Sequence, residues 1–201
     1  MTYKRYSIHS PFSIKDKLFN LDLTLFFSIL LLGVISIFAQ FSSSGGTFDY
    51  YSKSHALRFG IFFLLFLVIS FTPIRFWHST SFLIFLILLL LLIFVKFYGI
   101  QSQGSRRWVN LFIINLQPSE LMKIGIILFL SNYYHKISEG DVNKVRFLLY
   151  PVIAILAPFI LVISQPDLGT AILILLSGIV VTWLAGVRWK IFAYLSLISI
   201  I

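Results

Sequence analysis

The chain has 201 residues, of which 59% are apolar and only 11% charged, and its mean hydropathy is +0.96. These values exclude a soluble globular domain and describe a membrane protein. The net charge of +9 comes from sixteen basic residues scattered over short inter-span loops without a patch or stripe, so they are read as an orientation signal and no nucleic-acid partner is expected.

The absence of cysteine removes any disulfide, thiolate nucleophile or Cys-based metal site. The four histidines, His9, His55, His78 and His135, lack metal-ligand spacing, so no metal site is expected.

A spanning helix takes about 20 predominantly apolar residues. Residues 1–20 read as a cytoplasmic N-terminal segment and residues 21–201 as one transmembrane domain. Spans are predicted near Leu21–Phe41, Leu57–Phe71, Phe82–Tyr98, Leu116–Tyr133, Phe147–Ile163 and Leu168–Val187, and a seventh begins at Ile191 and is cut off at Ile201. The fold class is therefore all-α, a polytopic transmembrane helix bundle of six complete spans plus the start of a seventh. The second span is short and is expected to borrow residues from its flanks. The first span is long and lacks a small-residue cleavage pattern, so it is read as an uncleaved anchor. Ser42-Ser43-Ser44-Gly45-Gly46 reads as a turn between the first two spans. No internal repeat, heptad run or low-complexity linker interrupts this plan.

Basic residues orient the spans. Lys4, Arg5, Lys15, Lys17, Arg75, Lys136, Lys144, Arg146, Arg188 and Lys190 fall on one side by parity; Lys53, Arg58, Lys96, Arg106 and Arg107 fall on the other. The richer side is cytoplasmic by the positive-inside rule, which places the N-terminus inside and the loops after the third and fifth spans outside. The loop Lys136–Arg146 is then an intracellular orientation signal. The twenty-two phenylalanines are mostly lipid-facing bulk and mark no site.

Two polar clusters converge on the outer side. Gln103-Gly104-Ser105-Arg106-Arg107-Trp108 leads to Gln117-Pro118-Ser119-Glu120-Leu121-Met122-Lys123, and Gln165-Pro166-Asp167-Leu168-Gly169-Thr170 follows the fifth span. Pro118 suits the first position of a helix, which puts Glu120 in the first turn and Lys123 on the same face. One reading has Glu120 complementing the helix dipole while Lys123 snorkels to the interface. The other has them paired in a cavity wall, beside a helix N-terminus that with Arg106, Arg107 and Lys123 favours an anion such as a pyrophosphate. Trp108 is either an interfacial anchor or a surface for a sugar or a lipid chain. Asp167 is either the cap of the sixth helix or a partner for an arginine or a hydroxyl. Gly169 permits close approach.

In this order and on these loops, the three motifs resemble the SEDS family of RodA, FtsW and SpoVE. The Pro166-Asp167-Leu168-Gly169-Thr170 and Pro73-Ile74-Arg75-Phe76-Trp77 segments are more similar to the RodA branch than to FtsW, whose corresponding segment usually has phenylalanine after the aspartate. The resemblance implies a glycosyltransferase that polymerises lipid II, a sugar on a polyprenyl pyrophosphate, at the outer face of the bacterial plasma membrane for cell elongation and rod shape. It also implies a class B penicillin-binding protein as partner. By the same resemblance Glu120 and Lys123 support the cavity, and Arg107, Trp108, Gln117 and Asp167 bind substrate, with Arg106 added as a substrate-binding cation from the anion reading above.

The acceptor hydroxyl must lose a proton and the leaving pyrophosphate must be stabilised. The family is about twice this length, with its base in a large outer loop after the seventh span. No catalytic residue is therefore expected within residues 1–201, and the base is expected beyond Ile201. No cofactor is implied for these residues, and a divalent metal in the full-length enzyme is left open. A lipid-linked precursor flippase and a non-catalytic scaffold of the elongation machinery are the alternative functions. A transporter should carry polar groups through the whole membrane depth, whereas these cluster at one end.

Overall fold

The computed structural model describes residues 21–102, 105–111, 115–138, 140–189 and 191. They divide into two compact units, one ending at Pro73 and one beginning at Ile74.

The first unit holds α1 (Leu23–Ser43) and α2 (Tyr50–Phe71). Each starts on an aspartate whose carboxylate accepts a backbone N–H three residues on: Asp22 from Leu25 at 3.1 Å, Asp49 from Ser52 at 2.8 Å. The turn between them places Gly45 and Gly46 at φ of 70° and 77°, a left-handed conformation that glycine adopts without steric cost. Lipid tails are as apolar as leucine, so the two helices associate through close packing and polar contacts rather than apolar burial. Gly33 supplies the first, because a Cβ there would lie 1.9 Å from the Phe59 ring. Ser36 Oγ and His55 Nε2 at 2.9 Å, and Ser44 Oγ and Ser52 Oγ at 3.1 Å, supply the second.

The second unit holds α3 (Ile74–Tyr98), the strands β1 (Ile100–Ser102), β2 (Ser105–Asn110) and β3 (Asn115–Leu116), then α4 (Pro118–His135), α5 (Val145–Ile163) and α6 (Leu168–Leu184). Helix α4 is central to the unit, packing against α3 and α6 and touching α5. Its Met122, Ile126 and Leu130, spaced four apart on one face, are fully buried together with Leu92 and Val95 of α3 and Ala171 and Ile174 of α6. Glycines again set the closest approaches. A Cβ on Gly125 would stand 2.7 Å from Leu88, and one on Gly178 would stand 2.5 Å from Ile155. Pro151 and Pro158 lie inside α5, and both are buried against protein, where freed backbone groups can find other partners.

Among the described residues, four helices, α1, α2, α3 and α5, are long and apolar enough to cross a membrane. Helix α6 is a shorter apolar helix of 17 residues, and α4 carries Glu120, Lys123, Asn132 and His135 towards its ends. These polar residues sit near the helix ends, where ionisable groups cost less than at the middle of a span.

The all-α reading holds, and all six complete predicted spans are present as helices. Two begin well before their predicted starts. Helix α2 starts at Tyr50, extending Leu57–Phe71 into its N-terminal flank, because the Asp49 cap carries Lys53 and His55 into the helix; α3 starts at Ile74, directly after Pro73, not at Phe82. The loop after α3 forms short antiparallel ladders, β1 with β2 and β2 with β3, which no alternating apolar pattern announced. The N-terminal segment 1–20 lies outside the described residues. So does nearly all of the seventh span, up to and including Ile201, the residue beyond which the base is expected.

Gly178→Ala gains about 1 kcal/mol of helix propensity. Against that, overpacking on the buried Ile155 costs about 1–3 kcal/mol. Thermal unfolding in detergent should therefore show net destabilisation, and in an Ile155→Ala background the same change should become neutral or stabilising.

Candidate functional site

The predicted polar clusters meet at the end of the second unit where α3 ends and α4 and α6 begin. Helix α4 opens on Gln117 in extended conformation, with Pro118 in the first turn, where a missing N–H removes only a donor that has no helical partner. Gln117 makes no side-chain cap of its own helix. Its amide instead crosses to α6, donating to Asp167 Oδ2 at 2.9 Å. Asp167 is the N-cap of α6, its other oxygen accepting the Thr170 N–H at 3.2 Å. One carboxylate thus starts α6 and ties it to the start of α4.

Arg107 extends the network to the strands. Its Nε donates to the Gln165 carbonyl at 3.0 Å, one terminal nitrogen donates to the Pro166 carbonyl, and the other lies 3.9 Å from Asp167 Oδ2. The guanidinium fork fits two successive carbonyls better than a point-charge ammonium would. Gln165 is itself buried, with 4% of its surface exposed, and its amide donates to the Leu92 carbonyl of α3 at 3.1 Å.

The structure therefore brings Arg107, Gln117 and Asp167 together. Glu120 and Lys123 form a separate pair one turn into α4, with Nζ 2.9 Å from Oε2 and side chains 52% and 24% exposed. Arg106 turns away, donating to the Phe97 carbonyl in the last turn of α3 at 2.7 Å. Trp108 is half-buried on β2, opposite Ile100 of β1. Gln165 stands outside the residues singled out as site candidates. Its only signal in sequence is an amide placed before a proline at the exit of an apolar helix.

At the other end of the unit lies a second polar group. Asn132 of α4 donates to the His78 carbonyl at 2.8 Å and to Ser81 Oγ at 2.6 Å, and the His78 and His135 rings meet edge to face with centroids 5.2 Å apart. In the nearby loop, Lys144 pairs with Asp141 and holds that carboxyl below its ordinary range. Asn143 closes the loop on the end of α6, accepting the Arg188 N–H at 2.9 Å and donating to the Gly186 carbonyl at 3.4 Å. Among the described residues, no group of three or more His, Cys, Asp or Glu could hold a metal.

Chemically, the strand-bearing end offers cations rather than a free base. Arg106 and Arg107 are held by carbonyl dipoles, which orient a charge without cancelling it. Every described carboxylate is engaged: Asp22, Asp49 and Asp167 cap helices, while Glu120 and Asp141 pair with lysines.

A chain with several lipid-length apolar helices is a multi-pass membrane protein, and here its second unit carries a cationic cluster at one end. The chain belongs to the FtsW/RodA/SpoVE family of cell cycle proteins, whose family model matches residues 18–201. It is 34% identical over 152 residues to the probable peptidoglycan glycosyltransferase FtsW of Buchnera aphidicola subsp. Baizongia pistaciae, a match covering 76% of this chain and 40% of that one. Over 174 residues it is 30% identical to the peptidoglycan glycosyltransferase MrdB of Escherichia coli K12, covering 86% and 46%. Among solved structures it resembles the rod shape determining protein RodA of Thermus thermophilus, with a TM-score of 0.68 and 26% identity over 89% of this chain and 58% of that one. It shares its fold with a chain of a peptidoglycan synthase complex that coordinates polymerization and crosslinking, at a TM-score of 0.69 and 24% identity over 87% and 51%. The chain spans less than half the length of these two curated relatives.

Asparagine caps helices as well as aspartate, and its Nδ2, standing where Oδ2 accepts, can donate to Gln117 once that side-chain amide flips to present its oxygen, so Asp167→Asn should shift unfolding in detergent by less than about 1 kcal/mol. Asp167→Ala removes the cap and strands the Gln117 amide, which together should cost about 2–4 kcal/mol.

Proposed function

We propose that the full-length protein is a RodA-type peptidoglycan glycosyltransferase that polymerises lipid II at the outer face of the plasma membrane, with a class B penicillin-binding protein as its partner. The observation that carries this reading is the convergence of Arg107, Gln117 and Asp167 on one polar end, beside the Glu120–Lys123 pair, in a chain of this family. A pyrophosphate leaving group suits such an end, because donors fixed before the reaction stabilise developing negative charge without reorganising. Glu120 and Lys123 form the wall of the cavity, Arg106 and Arg107 supply its positive field, Gln117 and Asp167 brace its floor, and Trp108 offers a surface to a sugar ring or lipid chain.

Leu168 directly after Asp167 supports the RodA branch, although both FtsW and MrdB are among the relatives. Rescue of rod shape in a RodA-depleted cell, without rescue of division in an FtsW-depleted one, is the expected result. The reverse pattern would assign the division branch.

On the same reading, the resemblance to the family puts the proton acceptor for the attacking hydroxyl beyond Ile201; the described carboxylates each serve a cap or a lysine. Residues 1–201 purified alone should bind lipid II weakly and yield no glycan, the loss of a general base typically costing about 10²–10⁴-fold. Polymer from these residues alone would sink this assignment and bring Asp167 forward as the base.

In the full-length protein, Glu120→Ala and Lys123→Ala should each abolish polymerisation, and the double variant should be no worse than either, because the two side chains act as one unit. Mild and additive losses would instead support two independent interfacial charges.

The orientation with the N-terminus inside rests on the excess of basic residues on that side. With single cysteines placed in turn at two exposed positions, Asn115→Cys should react with an impermeant reagent in intact cells and Ser138→Cys should not. The opposite pattern would invert the topology.

A further inference from the structure

We infer that Gln165 is a positioning residue: its buried amide fixes the α5–α6 turn against α3 and thereby sets the two carbonyls that orient Arg107. The inference rests on the polymerase reading for its catalytic consequence, but its geometry stands independently.

Gln165 follows directly on the last turn of α5, its N–H bonded to the Val162 carbonyl at 3.0 Å. Its side chain lies under the turn with 4% of the residue exposed. A position needing only to be filled would hold leucine or methionine at no desolvation cost, whereas a buried amide is costly unless bonded. This amide is bonded, and its acceptor is the Leu92 carbonyl, two turns before the end of α3.

The same residue's own carbonyl receives Arg107 Nε, and the next carbonyl receives an Arg107 terminal N–H. Two N–H groups on two successive carbonyls fix the plane of a guanidinium as well as its place. That plane is only as well defined as the turn carrying the carbonyls. The turn is held below by Gln165 and at its far end by Asp167, which Gln117 anchors. The route from α3 to the rim cation thus runs Leu92, Gln165, Arg107. Arg107 acts on substrate and Gln165 acts through Arg107.

In the full-length protein, Gln165→Leu fills the volume and leaves the Leu92 carbonyl its place in the α3 backbone ladder, so no buried group is orphaned. Gln165→Met, which keeps the unbranched length, is the second variant in case leucine disturbs packing. The expected result is a kcat for lipid II polymerisation lower by roughly 10–100-fold, in keeping with the sensitivity of preorganised sites to displacements of about 1 Å. KM should stay within about threefold and the thermal midpoint should be unchanged. Gln165→Glu can donate to Leu92 only when protonated, so its rate relative to wild type should rise as pH falls. Wild-type kcat in both apolar variants, loss of activity in step with loss of thermal stability, or a pH-independent ratio for Gln165→Glu would each overturn the inference.

A wild-type protein without polymerase activity would defeat the functional reading alone. The positioning claim is then decided by unfolding of Arg107→Ala, Gln165→Leu and the double variant in detergent: non-additive effects uphold it and additive effects overturn it.

Discussion

The fork of Arg107 on the carbonyls of Gln165 and Pro166 is the contact on which the polar end of this protein depends. Irregular backbone near a bilayer must have its hydrogen-bonding groups satisfied from within the protein. Here two stretches of chain leave the helical ladder at the same end, the strands after α3 and the turn between α5 and α6, and each presents carbonyls without helical donors. Arginine answers both, Arg107 on the turn and Arg106 on the Phe97 carbonyl in the last turn of α3. The residues that sequence would assign to anion binding are thus also the residues that hold non-helical chain in place. The two roles are compatible because a carbonyl dipole orients a guanidinium and leaves its charge intact.

Helix α4 shows how a membrane bundle accommodates that arrangement. Its middle is purely apolar, with one face fully buried at Met122, Ile126 and Leu130, while its two ends carry opposite polar assemblies. At one end Gln117 reaches Asp167 and Glu120 meets Lys123; at the other Asn132 joins the His78 carbonyl and Ser81. Close approach at Gly125 and Gly178 lets the apolar middle pack without the driving force that burial from water supplies to soluble cores. The polar ends then fix register, since a slip of one residue would separate several hydrogen-bonded pairs at once.

What the sequence made legible was local. Asp167 as a cap, Pro118 as a helix opener and the Glu120–Lys123 pair all depend on spacings of three or four residues, which helix geometry converts directly into contacts. The apolar spans were legible for the same reason, each being a property of a contiguous stretch. The early start of α3 was missed, and that of α2 foreseen only as borrowing from its flanks, because a hydropathy window discounts Lys53, His55, Arg75 and His78, whereas the helix requires only a cap at Asp49 or a proline before its first turn. The contacts of Arg107 with residues 165 and 166, and of Gln165 with Leu92, join segments more than fifty residues apart, and no periodicity carries such information. The meeting of His78 with His135 was hidden likewise: in sequence they are two isolated residues, and only the pairing of α3 with α4 makes them neighbours.

The two sides of the polar end are held by chemically different means. Lys123 meets a carboxylate at hydrogen-bond distance, so its charge is largely balanced within the pair. Arg107 lies 3.9 Å from a carboxylate whose oxygens are already taken by the Thr170 N–H and the Gln117 amide, so Asp167 balances it less directly. The net positive field of this end is therefore concentrated on the arginine side, at the rim. On the proposed reading, a polyanionic substrate would meet the arginine side first and the Glu120–Lys123 pair after it. Moving the counter-charge, by pairing Arg107 tightly or by freeing Lys123, would reverse that order while leaving every helix in place.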